Sequence, residues 1–346
     1  MIVKKRMISG IKPTGKITLG NYLGAIKQFI KYQDEYDLWV FIADLHALTL
    51  PIDPKELREN TANLAAVYIA AGLDPNKTVL FKQSSIHYGA TQLSWILTCN
   101  TALGELTKMP QYKNYCENHL GEGVPTGMLM YPSLMSADIL LYDADYVPVG
   151  IDQKSHVDLC RDMAEKFNKH YPDSFKLTEA IIPEVGAKIM SLSNPTKKMS
   201  KSESDKGTIY ILDDIEISKK KIMKAVTDSE DKVYYDPENK PGISNLLTIY
   251  SCLSGEEISV IEDRYKNIEN YGVFKKDLCK LLENELKPIQ EKVSKLLEGE
   301  TLREILNEGA NKAKHYAYHK LKDIYYSIGL LSDSEYILDY NGVISC

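Results

Sequence analysis

The stretch LWVFIADLHAL, residues 38–48, decides the fold class that the sequence predicts. Its residues are almost continuously apolar, and a strand has this composition when a parallel sheet buries both of its faces. Three further apolar runs have strand length: RMISGI (6–11), TVLFKQS (78–84) and the run near YVPVG (146–150). Helical patterns separate these runs, and such alternation is typical of the α/β class. We therefore predict a doubly wound parallel-sheet, Rossmann-like domain that binds its ligands beyond the carboxyl ends of its strands.

The clearest helix signals lie between the apolar runs 38–48 and 78–84. Asp53 is placed to cap a helix, Pro54 fits its first turn, and Gly72 follows its last turn. Thr301 and Glu304 form a second candidate cap, in the form of a capping box for a last helix. Further helices are predicted at 21–32, from about 152 onward, at 218–229 and at 274–299.

The pattern changes in the second half of the chain, where strand runs disappear and lysine-rich helical patterns replace them. We predict a Rossmann-like domain over 1–207, which carries every candidate catalytic residue discussed below, and a mostly helical second domain over 208–300. A C-terminal helix and a tail are expected over 301–346.

Composition and charge narrow the classes of function open to the 346-residue chain. Apolar residues make up 44% and charged residues 26%, as in a globular protein, and the formal net charge is −6. Such a chain is not expected to coat nucleic acid by bulk electrostatics, although a local basic patch can hold a structured RNA. The six cysteines form no C-x-x-C pair, so no metal site is predicted. No apolar stretch approaches the ~20 residues of a membrane span, and we expect a cytoplasmic protein without a membrane partner.

Two stretches have the composition of phosphate-handling segments. SGIKPTGKITLGNYLGA (9–25) is a glycine-rich link from strand to helix. It is not G-x-G-x-x-G, and taken alone it fits a structural turn as well as a nucleotide site. TKKMSKSES (196–204) places three lysines and four hydroxyls around one methionine, a composition that cannot form a core. The alternative to a phosphate-binding role for this stretch is a solvated charged loop.

Together the two stretches resemble the signatures of class I aminoacyl-tRNA synthetases. Thr18-Leu19-Gly20-Asn21 is similar to the T-x-G-N form of the first signature, and KMSKS at 198–202 is the second signature unaltered. The resemblance to bacterial tryptophanyl-tRNA synthetases extends over nearly the whole chain, through the segments ADLHA (43–47), YPSLMSADILLY (131–142), VPVGIDQKSH (147–156), GAKIMSL (186–192), AVTDS (225–229) and KPGISNLL (240–247).

This resemblance implies an enzyme that activates tryptophan with ATP, which carries Mg²⁺, and then transfers tryptophan to the terminal adenosine of its tRNA. Such chemistry needs no covalent enzyme intermediate, so catalysis is positioning and electrostatics. The catalytic residues implied by the resemblance are Thr18, Asn21, Lys198 and Lys201. The ATP-binding residues that it implies are Lys12, Pro13, Thr14, Gly20, Asn21, Gly150, Ile151, Asp152, Ile189, Lys198, Met199, Ser200, Lys201 and Ser202.

A carboxylate among apolar neighbours indicates the substrate. Asp138 lies within LMSADILLY (134–142), where a charge is costly unless it is paired. An indole N–H is only a donor, and by resemblance Asp138 accepts its hydrogen bond, which selects against analogues without that N–H. The resemblance implies as further tryptophan-binding residues Ile8, His46, Tyr131, Met135, Ile139, Val147, Val149 and Gln153. For the apolar members, ordinary core packing is an equally good interpretation.

The implied partners are L-tryptophan, tRNA(Trp) and a second copy of the chain, with residues 104–130 near the interface of a homodimer. By resemblance the helical domain reads the tRNA anticodon. Two candidate basic faces are Lys219, Lys220, Lys221 and Lys224 on one helix and Lys312, His315, His319 and Lys322 on the last helix. Three other functions stay open: a tyrosyl-tRNA synthetase-like ligase, a small-molecule adenylyltransferase and a non-catalytic RNA-binding paralogue.

Three positions depart from the family pattern. The family often has an aromatic residue where Ile8 stands and glutamine where Lys12 stands. A second lysine that binds the triphosphate in relatives corresponds to Tyr115 here. We hypothesise that Lys113 takes over this phosphate contact, with a solvated loop lysine as the alternative.

Overall fold

A computed structural model describes residues 4–86, 89–119, 123–182, 188–200, 205–268, 270–332 and 335, with the side chains of residues 152 and 205 left undescribed. Within these residues the structure contains a five-stranded sheet in which every pairing is parallel. Its strands are β1 Arg6–Ile11, β2 Asp37–Ile42, β3 Thr78–Lys82, β4 Tyr146–Pro148 and β5 Glu179–Ile181. The predicted fold class is confirmed.

The strand order β3-β2-β1-β4-β5 creates the position for a ligand. The chain moves outward from β1 through β2 to β3, and then returns to the other side of β1 to form β4. The order therefore reverses between β1 and β4, and ligands bind in the crevice that such a reversal leaves at the carboxyl ends of the strands.

Helices cover both faces of this sheet. The α-helices are Leu19–Asn21, Lys27–Glu35, Asp44–Ala47, Pro54–Ala70, Ala90–Cys99, Leu103–Leu106, Pro110–Asn118, Thr126–Leu140, Lys154–His170, Ile215–Met223, Pro241–Ser254, Ile258–Tyr265, Tyr271–Glu298 and Thr301–Ser327. Tighter or wider turns are the π-helical turn Tyr22–Ile26 and the 3₁₀ turns Gln83–Ser85, Ile151–Gln153 and Asp205–Gly207.

The first hydrophobic core joins one face of the sheet to the second half of the chain. Met7 and Val40 project into this core, together with apolar residues of the helix Pro54–Ala70. The core continues without a break into the helices Pro241–Ser254 and Tyr271–Glu298. The helical region thus packs on the sheet through buried side chains.

The second core lies on the opposite face of the sheet. Alternate strand residues, such as Ile8 and Phe41, point into it, as the two-residue period of a strand requires. The helices Thr126–Leu140 and Lys154–His170 supply further buried residues. The helix Thr301–Ser327 also contributes to this core, so the end of the described chain returns to the sheet.

Two predictions of local structure, the first strand and a helix cap, are confirmed. The strand RMISGI is confirmed at Arg6–Ile11. The cap at Asp53 is also confirmed, because its side chain accepts from the backbone N–H groups of Lys55 and Glu56.

Other local predictions differ from the structure. The strand predicted over 38–48 ends at Ile42, and Asp44–Ala47 is a short helix instead. The helix predicted over 218–229 is Ile215–Met223. The strand β5 was not predicted. The capping box at Thr301 is wrong, because Glu300 precedes the helix in a near-helical conformation and makes no side-chain cap.

Two further properties concern the helices and the cysteines. None of the described helices is both long enough and apolar enough to cross a membrane. Cys99, Cys116, Cys160, Cys252 and Cys279 are free thiols.

Candidate active site

The two phosphate-handling stretches lie side by side in the fold. The backbone N–H of Leu19 donates to the carbonyl of Ile209 at 2.8 Å, next to an antiparallel bridge between Thr18 and Tyr210. A β-carbon built at Gly20 would lie 3.7 Å from Cβ of Ile189 and 3.9 Å from Cβ of Met199. The first signature therefore contacts the second, although about 180 residues separate them in the sequence.

Thr18 and Asn21 hold each other at the start of the helix that follows β1. The Thr18 hydroxyl accepts from the backbone N–H of Asn21 at 3.1 Å and donates to the Asn21 side-chain oxygen at 3.0 Å. That oxygen also accepts from the Thr18 backbone N–H at 3.3 Å. This reciprocal arrangement is a capping box, and it buries Thr18 almost completely. Their predicted roles toward ATP stay predictions.

A short hairpin carries the second signature. The backbone N–H of Met199 donates to the carbonyl of Ile189 at 2.9 Å, and Met190 forms a bridge with Lys198. Ile189 and Met199 are buried, whereas the Lys198 side chain is exposed. The Ser200 carbonyl accepts from the Thr208 hydroxyl at 3.1 Å. The predicted residues Lys201 and Ser202 lie outside the described residues.

Asn245 of the helix Pro241–Ser254 fixes this hairpin from behind. Its side-chain oxygen accepts from the Met190 N–H at 2.8 Å, and its side-chain nitrogen donates to the Met190 carbonyl at 2.9 Å. Asn245 is nearly fully buried, so both bonds are shielded from water. The helical region therefore positions the loop that carries Lys198.

The loop after β1 contains three of the predicted ATP-binding residues, Lys12, Pro13 and Thr14, and the neighbouring Gly15. Pro13 is buried, and Gly15 takes the left-handed conformation, with a φ of 64°, that lets the chain turn there. The Lys12 ammonium lies 5.6 Å from the centre of the Tyr131 ring. Partial burial of this ammonium lowers the pKa of Lys12, although the residue as a whole stays solvent-exposed. Thr14 is half-buried in the same loop.

Asp138 is the most constrained carboxylate of the site. It is 2% exposed, and Nε2 of His46 lies 2.9 Å from its Oδ2. The side-chain nitrogen of Gln83 donates to Oδ1 at 2.9 Å and to Oδ2 at 2.7 Å. Burial raises the pKa of Asp138 above its ordinary value, and the hydrogen bonds from His46 and Gln83 oppose that rise.

These partners reach Asp138 because of the sheet topology. His46 follows β2 and Gln83 follows β3, so both come from the carboxyl edge of neighbouring strands. Asp138 approaches the same edge from the helix Thr126–Leu140, near the end of that helix. A buried acceptor thus lies where ligands bind in this class of sheet.

The predicted apolar walls of the tryptophan pocket gather on the same side of the sheet. The second core contains Ile8, Ile139 and Val147, while Met135 and Val149 are half-buried against it. The structure therefore brings these five residues together, and their pocket role stays a prediction beside the packing role that it shows.

Tyr131 links the pocket to two residues that the sequence did not indicate. Its hydroxyl lies 2.5 Å from Nε2 of His156 and donates to Oε1 of Gln111 at 2.9 Å. Its ring meets the His46 ring edge-on, with centroids 6.4 Å apart. Gln83, Gln111 and His156 were missed because a single polar residue in a strand end or helix carries no spacing signal. Only Gln83 had a signal that could have found it, because it lies at the carboxyl end of a predicted parallel strand, where ligands bind.

The segment after β4 forms the predicted ribose and amino-group side. Gly150 and Ile151 are exposed, and Gln153 is half-buried where the helix Lys154–His170 begins. The Asp152 side chain lies outside the described structure, so its role stays a prediction.

The helix Pro110–Asn118 carries Lys113, and the phosphate contact hypothesised for this lysine stays a prediction. Gln111 points toward Tyr131, and Tyr115 shares its face because it lies four residues later. Lys113 is rotated by roughly 200° from Gln111 around the helix axis, at 100° per residue, and is exposed. Tyr115 instead stacks on His119, with ring centroids 4.1 Å apart.

The candidate basic faces are smaller than predicted. Lys219 is paired with Glu216 at 2.8 Å and with Glu283 at 2.5 Å, and the Lys221 ammonium donates to the Thr208 carbonyl. Lys322 is buried, with 7% of its surface exposed. The exposed members are Lys220, Lys224, Lys312, His315 and His319.

The described residues contain no group of three or more histidine, cysteine, aspartate or glutamate side chains that could hold a metal ion. The Mg²⁺ that the resemblance implies as a companion of ATP stays a prediction.

Comparison with known proteins identifies relatives over almost the entire chain. A family model described as tRNA synthetases class I (W and Y) matches residues 3–289. The tryptophan–tRNA ligase of Listeria monocytogenes serotype 4b (strain F2365) is 51% identical over 329 residues. That match covers 95% of this chain and 98% of the relative.

Solved structures agree with this similarity. Tryptophanyl-tRNA synthetase from Mycoplasma pneumoniae superposes with a TM-score of 0.86 at 35% identity, covering 96% of this chain and 99% of the other. The enzyme from Campylobacter jejuni, solved in complex with ADP and tryptophan, gives a TM-score of 0.80 at 37% identity. That superposition covers 94% of this chain and 99% of the other.

Proposed function

The chain belongs to the class I tRNA synthetases for tryptophan and tyrosine and is a tryptophan–tRNA ligase, and from this premise we propose how its side chains divide the reaction. Its substrates are ATP, tryptophan and tRNA. Relatives named tryptophan–tRNA ligase match at 51% and 50% identity over 95% of the chain, which removes the tyrosine-specific, small-molecule adenylyltransferase and non-catalytic alternatives.

The observation that carries the proposed tryptophan site is the buried, paired carboxylate of Asp138. An ionised carboxylate has about four lone-pair positions on its two oxygens, and His46 and Gln83 leave capacity for one more donor. The indole N–H of tryptophan is such a donor. Tyr131, Met135, Ile139, Val147, Val149 and Ile8 would wall the indole, and Gln153 would bind the amino group.

The ATP site lies where the two signatures meet. Gly20 lies against Ile189 and Met199, and because it has no side chain a nucleotide could approach its backbone closely. Asn21, Thr18, Lys12, Pro13 and Thr14 would bind from the loop after β1. Gly150, Ile151 and Asp152 would bind from the turn after β4, and Lys198, Ser200, Lys201 and Ser202 from the hairpin.

In the first step, a carboxylate oxygen of tryptophan attacks the α-phosphorus of ATP. The bond from that phosphorus to the bridging oxygen breaks, and pyrophosphate leaves with both electrons of the bond. In the second step, a hydroxyl of the terminal adenosine attacks the tryptophan carbonyl and AMP leaves. Lys198 and Lys201 would stabilise the charge that grows on pyrophosphate, which is a contribution to the transition state rather than to ground-state binding.

ATP would enter as its Mg²⁺ complex, because Mg²⁺ prefers phosphate oxygens and compensates the same growing charge. The helical region 208–300, with the exposed Lys220 and Lys224, would bind the anticodon of the tRNA. Because aminoacylated tRNA is consumed in protein synthesis, we propose that the enzyme acts in the cytoplasm.

The proposed homodimer would form near residues 104–130. Trp95 is 68% exposed and Leu103 is 64% exposed at the edge of this segment. Exposed large apolar side chains are candidates for an interaction surface, and a second copy of the chain is the partner that the family implies.

Tryptophan-dependent exchange of pyrophosphate into ATP tests the activity, measured without tRNA against all twenty amino acids. We expect exchange with tryptophan and none above background with tyrosine. Exchange that responds to tyrosine but not to tryptophan would refute the assignment.

Asp138→Asn tests the proposed contact. The amide turns an NH₂ group or a weaker acceptor toward the indole and leaves a donor unsatisfied, at a cost of about 1–3 kcal/mol. We expect a higher KM for tryptophan with a nearly unchanged KM for ATP. An equal loss with 3-benzothienylalanine, in which sulfur replaces the indole N–H, would exclude the contact.

A further inference from the structure

Gln83 occupies an unusual position for a polar residue. It lies directly after β3, is 1% exposed, and belongs to neither of the two signature stretches. Its side-chain oxygen accepts from the backbone N–H of Leu45 at 3.1 Å and from that of His46 at 3.4 Å. Both polar atoms of the side chain are therefore in use, since its nitrogen faces Asp138.

These contacts determine which way the amide of Gln83 points. A backbone N–H can only donate, so the side-chain oxygen must face Leu45 and His46. The NH₂ group is then turned toward Asp138, and it lies within 2.9 Å of both carboxylate oxygens. An NH₂ group that donates to both oxygens favours the ionised carboxylate, which accepts only.

A second link holds the same two loops together. Asp44 accepts from the backbone N–H of Ser84 at 2.9 Å and also from the Ser84 hydroxyl. The loop after β2 and the loop after β3 thus exchange side-chain bonds in both directions. The position of Gln83 is consequently fixed by the sheet edge and does not depend on the substrate.

We propose that Gln83 is a positioning residue for tryptophan recognition, which aims the Asp138 carboxylate and keeps it in the state that accepts the indole N–H. The inference rests on the proposed Asp138 contact and adds to it a residue that does not touch the substrate. His46 approaches Oδ2 alone, whereas Gln83 spans both oxygens, so Gln83 sets the plane of the carboxylate.

The proposal predicts a specific response to pH. The titratable groups that act on Asp138 are His46 and Asp44, and Tyr142 lies near it. Burial already raises the pKa of Asp138, so tryptophan activation should fail on the acid side as that carboxylate gains a proton. Removing the Gln83 donor raises the pKa further and moves this acid limb to higher pH.

Two variants at position 83 separate positioning from folding. Gln83→Met removes both sets of hydrogen bonds at a similar volume. Gln83→Glu keeps an oxygen for Leu45 and His46 and changes only the group that faces Asp138. Gln92→Glu on the helix Ala90–Cys99 is exposed and controls for the added charge.

The measurement is pyrophosphate exchange with tryptophan and with 3-benzothienylalanine as a function of pH, alongside thermal unfolding. We expect Gln83→Glu to raise the KM for tryptophan by about tenfold or more, because the variant loses the hydrogen bond to the charged carboxylate and sets a second carboxyl group beside Asp138. The KM for ATP should stay close to that of Gln92→Glu. The unfolding midpoint should fall relative to Gln92→Glu, because the new carboxyl group is buried beside Asp138. The preference for tryptophan over the sulfur analogue should fall, and the acid limb should move to higher pH for tryptophan only.

Unchanged tryptophan KM, analogue preference and acid limb in Gln83→Glu would overturn the proposal, because the carboxylate would then be held without Gln83. Gln83→Glu decides this question if Gln83→Met fails to fold. Asp138→Asn is measured in parallel. Loss of the analogue preference in Asp138→Asn but not in Gln83→Glu rejects the role of Gln83 alone, whereas an unaltered preference in Asp138→Asn rejects the contact on which it rests.

Discussion

At the residue scale, the charged side chains of Asp138 and Lys198 have opposite surroundings. Asp138 is buried and bound on both oxygens before any substrate arrives. Lys198 is exposed on a hairpin whose apolar neighbour Met199 is buried in the core. A prepared acceptor suits recognition of a neutral N–H group, because no reorganisation is needed. An exposed lysine on a tethered loop suits charge that develops late in the reaction.

Lys198→Ala should therefore lower kcat far more than it raises the KM for tryptophan. The loss of one charge-assisted hydrogen bond costs about 1.5–3 kcal/mol, or roughly ten- to a hundredfold in rate. Single-turnover formation of the tryptophanyl adenylate measures this step directly. Lys197→Ala, which removes the adjacent exposed lysine, is the matched control. Adenylate formation at the wild-type rate in Lys198→Ala would show that this lysine has no such role.

At the element scale, the position of the signature hairpin depends on a helix from the other half of the chain. Asn245 pairs with both backbone polar groups of Met190. The last helix shows a second long-range contact, because Gly309 lies directly against the backbone of β3. Both contacts act between elements that are far apart in the sequence, and each can be tested with a single substitution.

Asn245→Asp should release the hairpin. The carboxylate can still accept from the Met190 N–H but cannot donate to its carbonyl, and the buried charge opposes that oxygen. We expect a loss of about 1–3 kcal/mol in the free energy of unfolding and a lower kcat for exchange. Urea unfolding and exchange kinetics measure the two effects. The same substitution at the exposed Asn311 should change neither, and an effect of similar size there would refute the explanation.

Gly309→Ala should destabilise the packing of the last helix. A β-carbon at this position would lie 1.9 Å from the Leu80 carbonyl oxygen, so the helix must move away from β3. Overpacking of this kind costs about 1–3 kcal/mol and should lower the thermal unfolding midpoint. Gly104→Ala is the control, since nothing lies within 4 Å of its β-carbon. Equal midpoints for the two variants would mean that the helix accommodates the methyl group.

At the scale of the whole molecule, the first strand and the last helix meet. The Arg6 guanidinium lies 4.6 Å from the centre of the Trp39 ring and 4.3 Å from that of Tyr316. Its Nε also donates to Asp37 at 2.8 Å. The first core extends from the sheet into the helical region, so the buried surface of the chain is shared between its halves. The domain boundary at residue 207 stays a prediction.

The proposed homodimer is the prediction at this scale. Sedimentation equilibrium at micromolar concentration should give twice the 39.1 kDa of one chain. Trp95→Glu should shift the protein toward the monomer, because a charge replaces an exposed ring on the proposed interface. Leu330→Glu, at a residue that is 60% exposed on the last described turn, is the control. A monomer before any substitution would refute the dimer, and a dimer that tolerates Trp95→Glu would move the interface elsewhere.

The sequence by itself determined the features that depend on neighbours along the chain. Apolar runs placed β1 to the residue, and the Asp53 cap fixed the start of a helix, because such signals act over a few residues. The two signatures, 180 residues apart, were enough to indicate the chemistry. The strand β5 escaped because three residues carry too short a pattern.

Only the tertiary structure decided which polar side chains converge. Gln83, Gln111 and His156 reach Asp138 or Tyr131 because the strand order brings the loops after β2 and β3 to one edge and lays the helices over it. No local pattern in the sequence encodes that order. The position of Lys113 was decided in the same way, since the face that a helix turns toward a site depends on what the helix packs against.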